Sequence, residues 1–114
     1  DAHSDCWDEY FGRKYNHGTV FKRALEEGIV EPRPSIHLGI RGPVYSENDY
    51  KVVWDMGYNL VTMYDIRRIG IDELIRRVRT VAGRNVYISF DVDACDPSIA
   101  PGTVPITGCY KQED

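Results

Sequence analysis

Cysteine is scarce: Cys6, Cys95 and Cys109 make an odd number, and none stands in a CxxC pair. That argues against a disulfide framework and against a structural zinc site, and it fits a reducing, cytoplasmic setting. No apolar run approaches a membrane span, and no signal peptide opens the chain, which starts at Asp1 without an initiator Met. Long basic clusters are also missing. With 14 basic against 18 acidic side chains the net charge is -4, so neither nucleic acid nor a membrane surface is an expected partner. Arg67-Arg68 and Arg76-Arg77 read as solvated surface. Internal repeats, low-complexity tracts and interdomain linkers are not seen.

What is present is a folded α/β pattern in 114 residues, 42 % of them hydrophobic, enough for one domain and too few for two. Thr19 is placed to cap a helix carrying Phe21, Ala24 and Leu25 on one face, with Gly28 as its stop. Glu31-Pro32-Arg33-Pro34 breaks the chain, and Ser35 to Ile40 reads as a strand ended by Arg41-Gly42-Pro43. Ser46 and Asp49 suit the start of a helix running to about Met56, with Gly57 behind it. Asn59 to Tyr64 reads as a second strand. Ile71, Leu74, Ile75 and Val78 predict an amphipathic helix closed by Gly83, and Asn85 to Phe90 a third strand. Strands alternating with helices of this length imply βαβ units and a parallel sheet. Thr103 to Asp114 has no periodicity and reads as loop or frayed tail.

Two acid clusters carry the chemistry. The first is Asp1-Ala2-His3-Ser4-Asp5, followed by Asp8; the second is Asp91-Val92-Asp93, followed by Asp96-Pro97. Residues at i, i+2 and i+4 of an extended chain point the same way, so Asp1, His3 and Asp5 can face one site, and Asp91 with Asp93 likewise. Ligands of parallel α/β sheets gather at the carboxyl ends of strands, where both clusters are expected. Acid-rich turns are common on surfaces, but carboxylates crowded at a partly buried strand edge repel one another. Divalent cations relieve that repulsion, and carboxylate with imidazole suits manganese or a similar metal. Calcium fits less well, because His3 is a poor ligand for it. Two cations sharing carboxylates and a bridging water would make hydroxide available near neutral pH.

Among the other candidates, His17 lies in Tyr15-Asn16-His17-Gly18-Thr19 just before a helix and suits a proton-transfer role. His37 sits among apolar strand neighbours and reads as structural. Arg41 fits either a substrate mouth or a solvated turn. Cys6 and Cys95 flank the acid clusters and read as packed small residues rather than ligands.

The stretches DAHSD, YNHGT, HLGIRGPVYS and SFDVDACDPSIAPGT together resemble the arginase–agmatinase ureohydrolase family, from Asp1 to about Thr103. The resemblance implies a three-layer α/β/α sandwich with a mainly parallel sheet, of which residues 1–114 would be a partial domain. It implies two manganese ions, with Asp1 and Asp91 bridging them, Asp5 on one, and His3 with Asp93 on the other. His17 would be the acid–base residue near the leaving amine, and Asp96 a supporting carboxylate. The loop Cys6 to Gly12 and the GIRGP-Tyr45-Ser46 stretch are similar to agmatinases rather than arginases. The implied reaction is hydrolysis of a guanidino compound to urea and an amine by a metal-bridging hydroxide. Agmatine comes first as substrate and guanidinobutyrate-type acids close behind, within polyamine biosynthesis and in a trimer or hexamer. Three departures stand out: the family's upstream GDH-type His and its downstream substrate-binding Glu are absent, and the run Ala100 to Cys109 is altered. The alternatives are a two-metal hydrolase of phosphate esters and a non-catalytic, truncated metal-binding remnant.

Overall fold

A computed structural model describes residues 1–42, 44, 46 and 48–103. The expected tail from Thr103 therefore falls almost wholly outside the described residues. Helix α1 spans Val20–Glu26, strand β1 Ile36–Ile40, helix α2 Asn48–Asp55, strand β2 Asn59–Thr62, helix α3 Met63–Ile69 and helix α4 Ile71–Val81. Single 3-10 turns cover His17–Thr19 and Val92–Ala94.

β1 and β2 pair in parallel, Ile36 opposite Asn59 and Leu38 opposite Val61, with an irregularity between Leu38 and Ile40. Gly39 sits there at φ 83, in the left-handed region that a side chain resists, and lets the strand bend toward Asp1. Alternation along the strands sorts the core into two layers. On one face α1 and α2 pack through Phe21, Leu25 and Val53, together with Tyr58 just before β2, against Leu60. On the other, α3 and α4 bring Met63, Ile66 and Leu74 against Ile36, Leu38 and Val61. Helices on both faces of a parallel sheet make the expected α/β/α layering, in partial form.

His37 is 8 % exposed and lies edge-on between the rings of Phe21 and Tyr58. Burial in that apolar slot pushes its imidazole down to about 4, so it stays neutral, as a structural residue should.

Four expectations are corrected. Thr19 stands at the N-cap of α1 but makes no capping bond; its hydroxyl turns instead to the carbonyls of Lys14 and Asn16 and closes the preceding 3-10 turn. The second strand ends at Thr62, because the Thr62 hydroxyl accepts the Asp65 amide and starts α3, a helix the strand reading overran. Helix α4 stops at Val81, where Ala82 turns extended, before Gly83. Asn85 to Phe90 forms no strand: the sheet of described residues has two strands, and Val86, Tyr87, Ile88 and Phe90 stand exposed. A strand is defined by its ladder, and β-propensity alone supplies no neighbour.

Candidate metal centre

The β1 end is the floor of the site. Past Ile40 the backbone amides of Arg41 and Gly42 both donate to the Ala2 carbonyl, at 3.0 and 2.8 Å, and so lay the first acid cluster across the end of the sheet. Gly42 is required by this approach: a Cβ there would stand 2.5 Å from His3 Cδ2 and 2.9 Å from the Ala2 oxygen.

The second cluster meets the first through Asp93, only 6 % exposed. Its Oδ1 accepts the Ala2 amide at 2.8 Å, and its Oδ2 accepts from His3 Nδ1 at 2.9 Å. Asp1 Oδ1 lies 3.9 Å from the same His3 nitrogen and accepts the His3 amide at 2.7 Å. One ligand atom from each of Asp1, His3 and Asp93 falls within 4.8 Å of the other two. Residues 90 positions apart in sequence thus share one small volume.

Asp5 and Asp91 lie outside that trio but adjoin it. Asp91 is exposed, and its Oδ1 accepts the Asp93 amide at 3.1 Å, capping the Val92–Ala94 turn. Asp5 stands at φ 51 in the left-handed region. Burial pushes its carboxyl up to about 6, helped by the charges of Asp91 and Asp93 and opposed by His3 and His17. Strand alternation therefore does not explain the convergence. The first cluster leaves extended geometry at Asp5, and the second is a capped 3-10 turn.

His17 is exposed on its turn, edge-on to Tyr10 at 5.0 Å, and close enough for its charge to act on Asp5. Asp8 belongs elsewhere, paired with the buried Arg23 at 2.6 Å. Asp96 accepts the Ser98 amide at 2.8 Å, which holds its carboxyl below the usual range. Cys6 is buried with its thiol pushed up to about 12 by that burial, an inert packed residue. Arg41 is half-buried rather than a solvated turn: its guanidinium donates to the Asp93 carbonyl at 2.5 Å and to the Cys95 carbonyl at 3.3 Å. Its position directly before the glycine that admits His3 is the only hint the sequence offers of this.

Two carboxylates and an imidazole around one point fit a first-row divalent cation.

Residues 1–108 match the arginase family. The chain belongs to that family. Guanidinopropionase of Pseudomonas aeruginosa is 44 % identical over 90 % of this chain and 33 % of its own length. The mitochondrial agmatinase of Gallus gallus is 41 % identical over 90 % of this chain and 31 % of its own. The solved proclavaminate amidino hydrolase of Streptomyces clavuligerus superposes with a TM-score of 0.86 at 34 % identity, covering 99 % of this chain and 38 % of that one. This arginase-family chain spans about a third of the curated relatives it matches. Among its described residues no helix is long and apolar enough to cross a membrane.

Proposed function

We propose that this chain forms the metal-holding centre of a hydrolase that releases urea from a guanidino compound, agmatine first. The observation that carries the reading is the meeting of Asp1, His3 and Asp93 within 4.8 Å across the end of a parallel sheet. Two divalent cations, manganese by the donor chemistry, would be held by these three together with the adjoining Asp5 and Asp91. Such a pair, when bound, supplies an activated water and polarises the guanidinium carbon.

The chain's own residues do the rest. Asp93 is the anchor, because its two oxygens are committed in different directions and cannot swing away. Asp5, already reluctant to ionise, gives up its proton as positive charge arrives. His17 stands at the solvent side, where its ring nitrogens can pass a proton to a departing amine. A guanidino acid in place of agmatine is the second reading, favoured by the 44 % identity to a guanidinopropionase. We place the active assembly as a homo-oligomer in the cytoplasm.

The test is urea release by the manganese-loaded full-length protein from agmatine, 3-guanidinopropionate and 4-guanidinobutyrate, with metal content measured beside an Asp91→Asn variant. Urea from agmatine, with two metal equivalents in the parent and fewer in the variant, is expected. Phosphate-ester hydrolysis without urea release would sink the proposal.

A further inference from the structure

We infer that Arg41 is the positioning residue that sets the gap between the two halves of the metal centre. The inference rests on the metal-site reading above and adds a residue to it.

Three chain segments must agree on position for the site to exist: Asp1–His3, the end of β1, and Asp91–Cys95. Arg41 touches all three. Its backbone amide donates to the Ala2 carbonyl at 3.0 Å, fixing the first segment to the sheet. Its Nη1 donates to the Gly39 carbonyl at 3.4 Å, which folds the side chain back over the bulge of β1. Its Nη2 donates to the carbonyls of Asp93 and Cys95, at 2.5 and 3.3 Å. Asp93 is thus held at both ends, the carbonyl by Arg41 and the carboxylate by Ala2 and His3.

This matters because, among the described residues, the second segment is joined to the first only around Asp93. Residues 86–90 carry no ladder, Asp91 and Val92 are exposed, and the turn at Val92–Ala94 is a single 3-10 turn. A single turn anchored through one side chain is set more firmly when a rigid group also holds its backbone. A planar guanidinium with several donors in fixed directions does that, and a lysine ammonium, a point charge on a flexible stem, does not. The donors named here meet backbone carbonyls, which is how the side chain ties one segment's geometry to another's.

The test uses the full-length protein with Arg41→Ala and Arg41→Lys. Manganese affinity and stoichiometry are read by titration calorimetry, and amide exchange over residues 91–97 is read on the metal-free form. In Arg41→Ala, affinity falls by about 10–100-fold, as for loss of an outer partner of a metal ligand, and exchange at 93–97 speeds up selectively. Arg41→Lys lies between, and it carries the test if the alanine variant fails to fold. Affinity within twofold of the parent in both variants, with unchanged exchange, overturns the inference, as does a uniform rise in exchange across the chain. If the parent itself takes up no manganese, the metal reading fails while the exchange comparison still decides the role of Arg41.

Discussion

Asp93 and His17 sit at opposite extremes of constraint, and that difference sets what each can do. Asp93 is buried with both oxygens bonded, a fixed point for a ligand. His17 is exposed and lies edge-on to the ring of Tyr10, so solvent reaches it. His17→Asn should therefore lower kcat by about 10²–10⁴-fold while leaving bound manganese unchanged; loss of metal in that variant would make it a ligand instead. His37 tests the buried extreme. Its folded value near 4 lies below the ordinary 6.5, so its contribution is complete above pH 6.5 and is lost as pH falls toward 4. The shift corresponds to roughly 3 kcal/mol. Ring-proton NMR should find the imidazole neutral at pH 5, and urea midpoints should fall over that window in the parent but much less in His37→Phe. Asp1, His3 and Asp93, which the structure brings together, are legible in the sequence as alternating acids around a histidine. The contacts of Arg41 are not, because hydrogen bonds to carbonyls 52 and 54 positions away leave no pattern along the chain.

At the level of elements, the helices and first strand follow from periodicity and turn residues, and where they differ the cause is local. The overrun of β2 illustrates this. Thr62-Met63-Tyr64-Asp65 is a capping box in plain sequence, yet the β-branched and aromatic residues before and within it read equally well as strand. The third strand fails for the converse reason, since nothing within a segment tells whether a partner lies beside it. The junction of β1 with the first acid cluster yields a sharper expectation. Gly42→Ala forces its Cβ against His3 and the Ala2 carbonyl, and crowding of this kind costs about 1–3 kcal/mol. Because His3 is the movable member, we expect weaker manganese binding along with a lower melting temperature. A variant that melts lower but binds manganese as tightly as the parent would mean that the backbone yields instead.

For the molecule as a whole, the layered α/β arrangement follows from the sequence pattern, while the surface left beside residues 86–92 does not. Val86, Tyr87, Ile88, Phe90 and Val92 are all exposed, Tyr87 by 85 %, in a protein that spans about a third of its relatives. Contiguous apolar surface of this kind is rarely left bare. Produced as these 114 residues alone, the protein should bind a hydrophobic dye and associate as concentration rises, and Ile88→Lys with Phe90→Lys should suppress both. A monomeric, dye-silent parent at high concentration would contradict this.

The contact between His3 and Asp93 also bears on what a chelator would do. An ion gripping both would pin two stretches that are 90 residues apart, closing a loop much as a disulfide does, where chain statistics put the gain for a loop of that size at about 4–5 kcal/mol. Stripping it away would unfasten the Ala82–Phe90 stretch first. Protease nicks between α4 and Asp91 that appear with EDTA and vanish when manganese is restored would be the signature of that clasp.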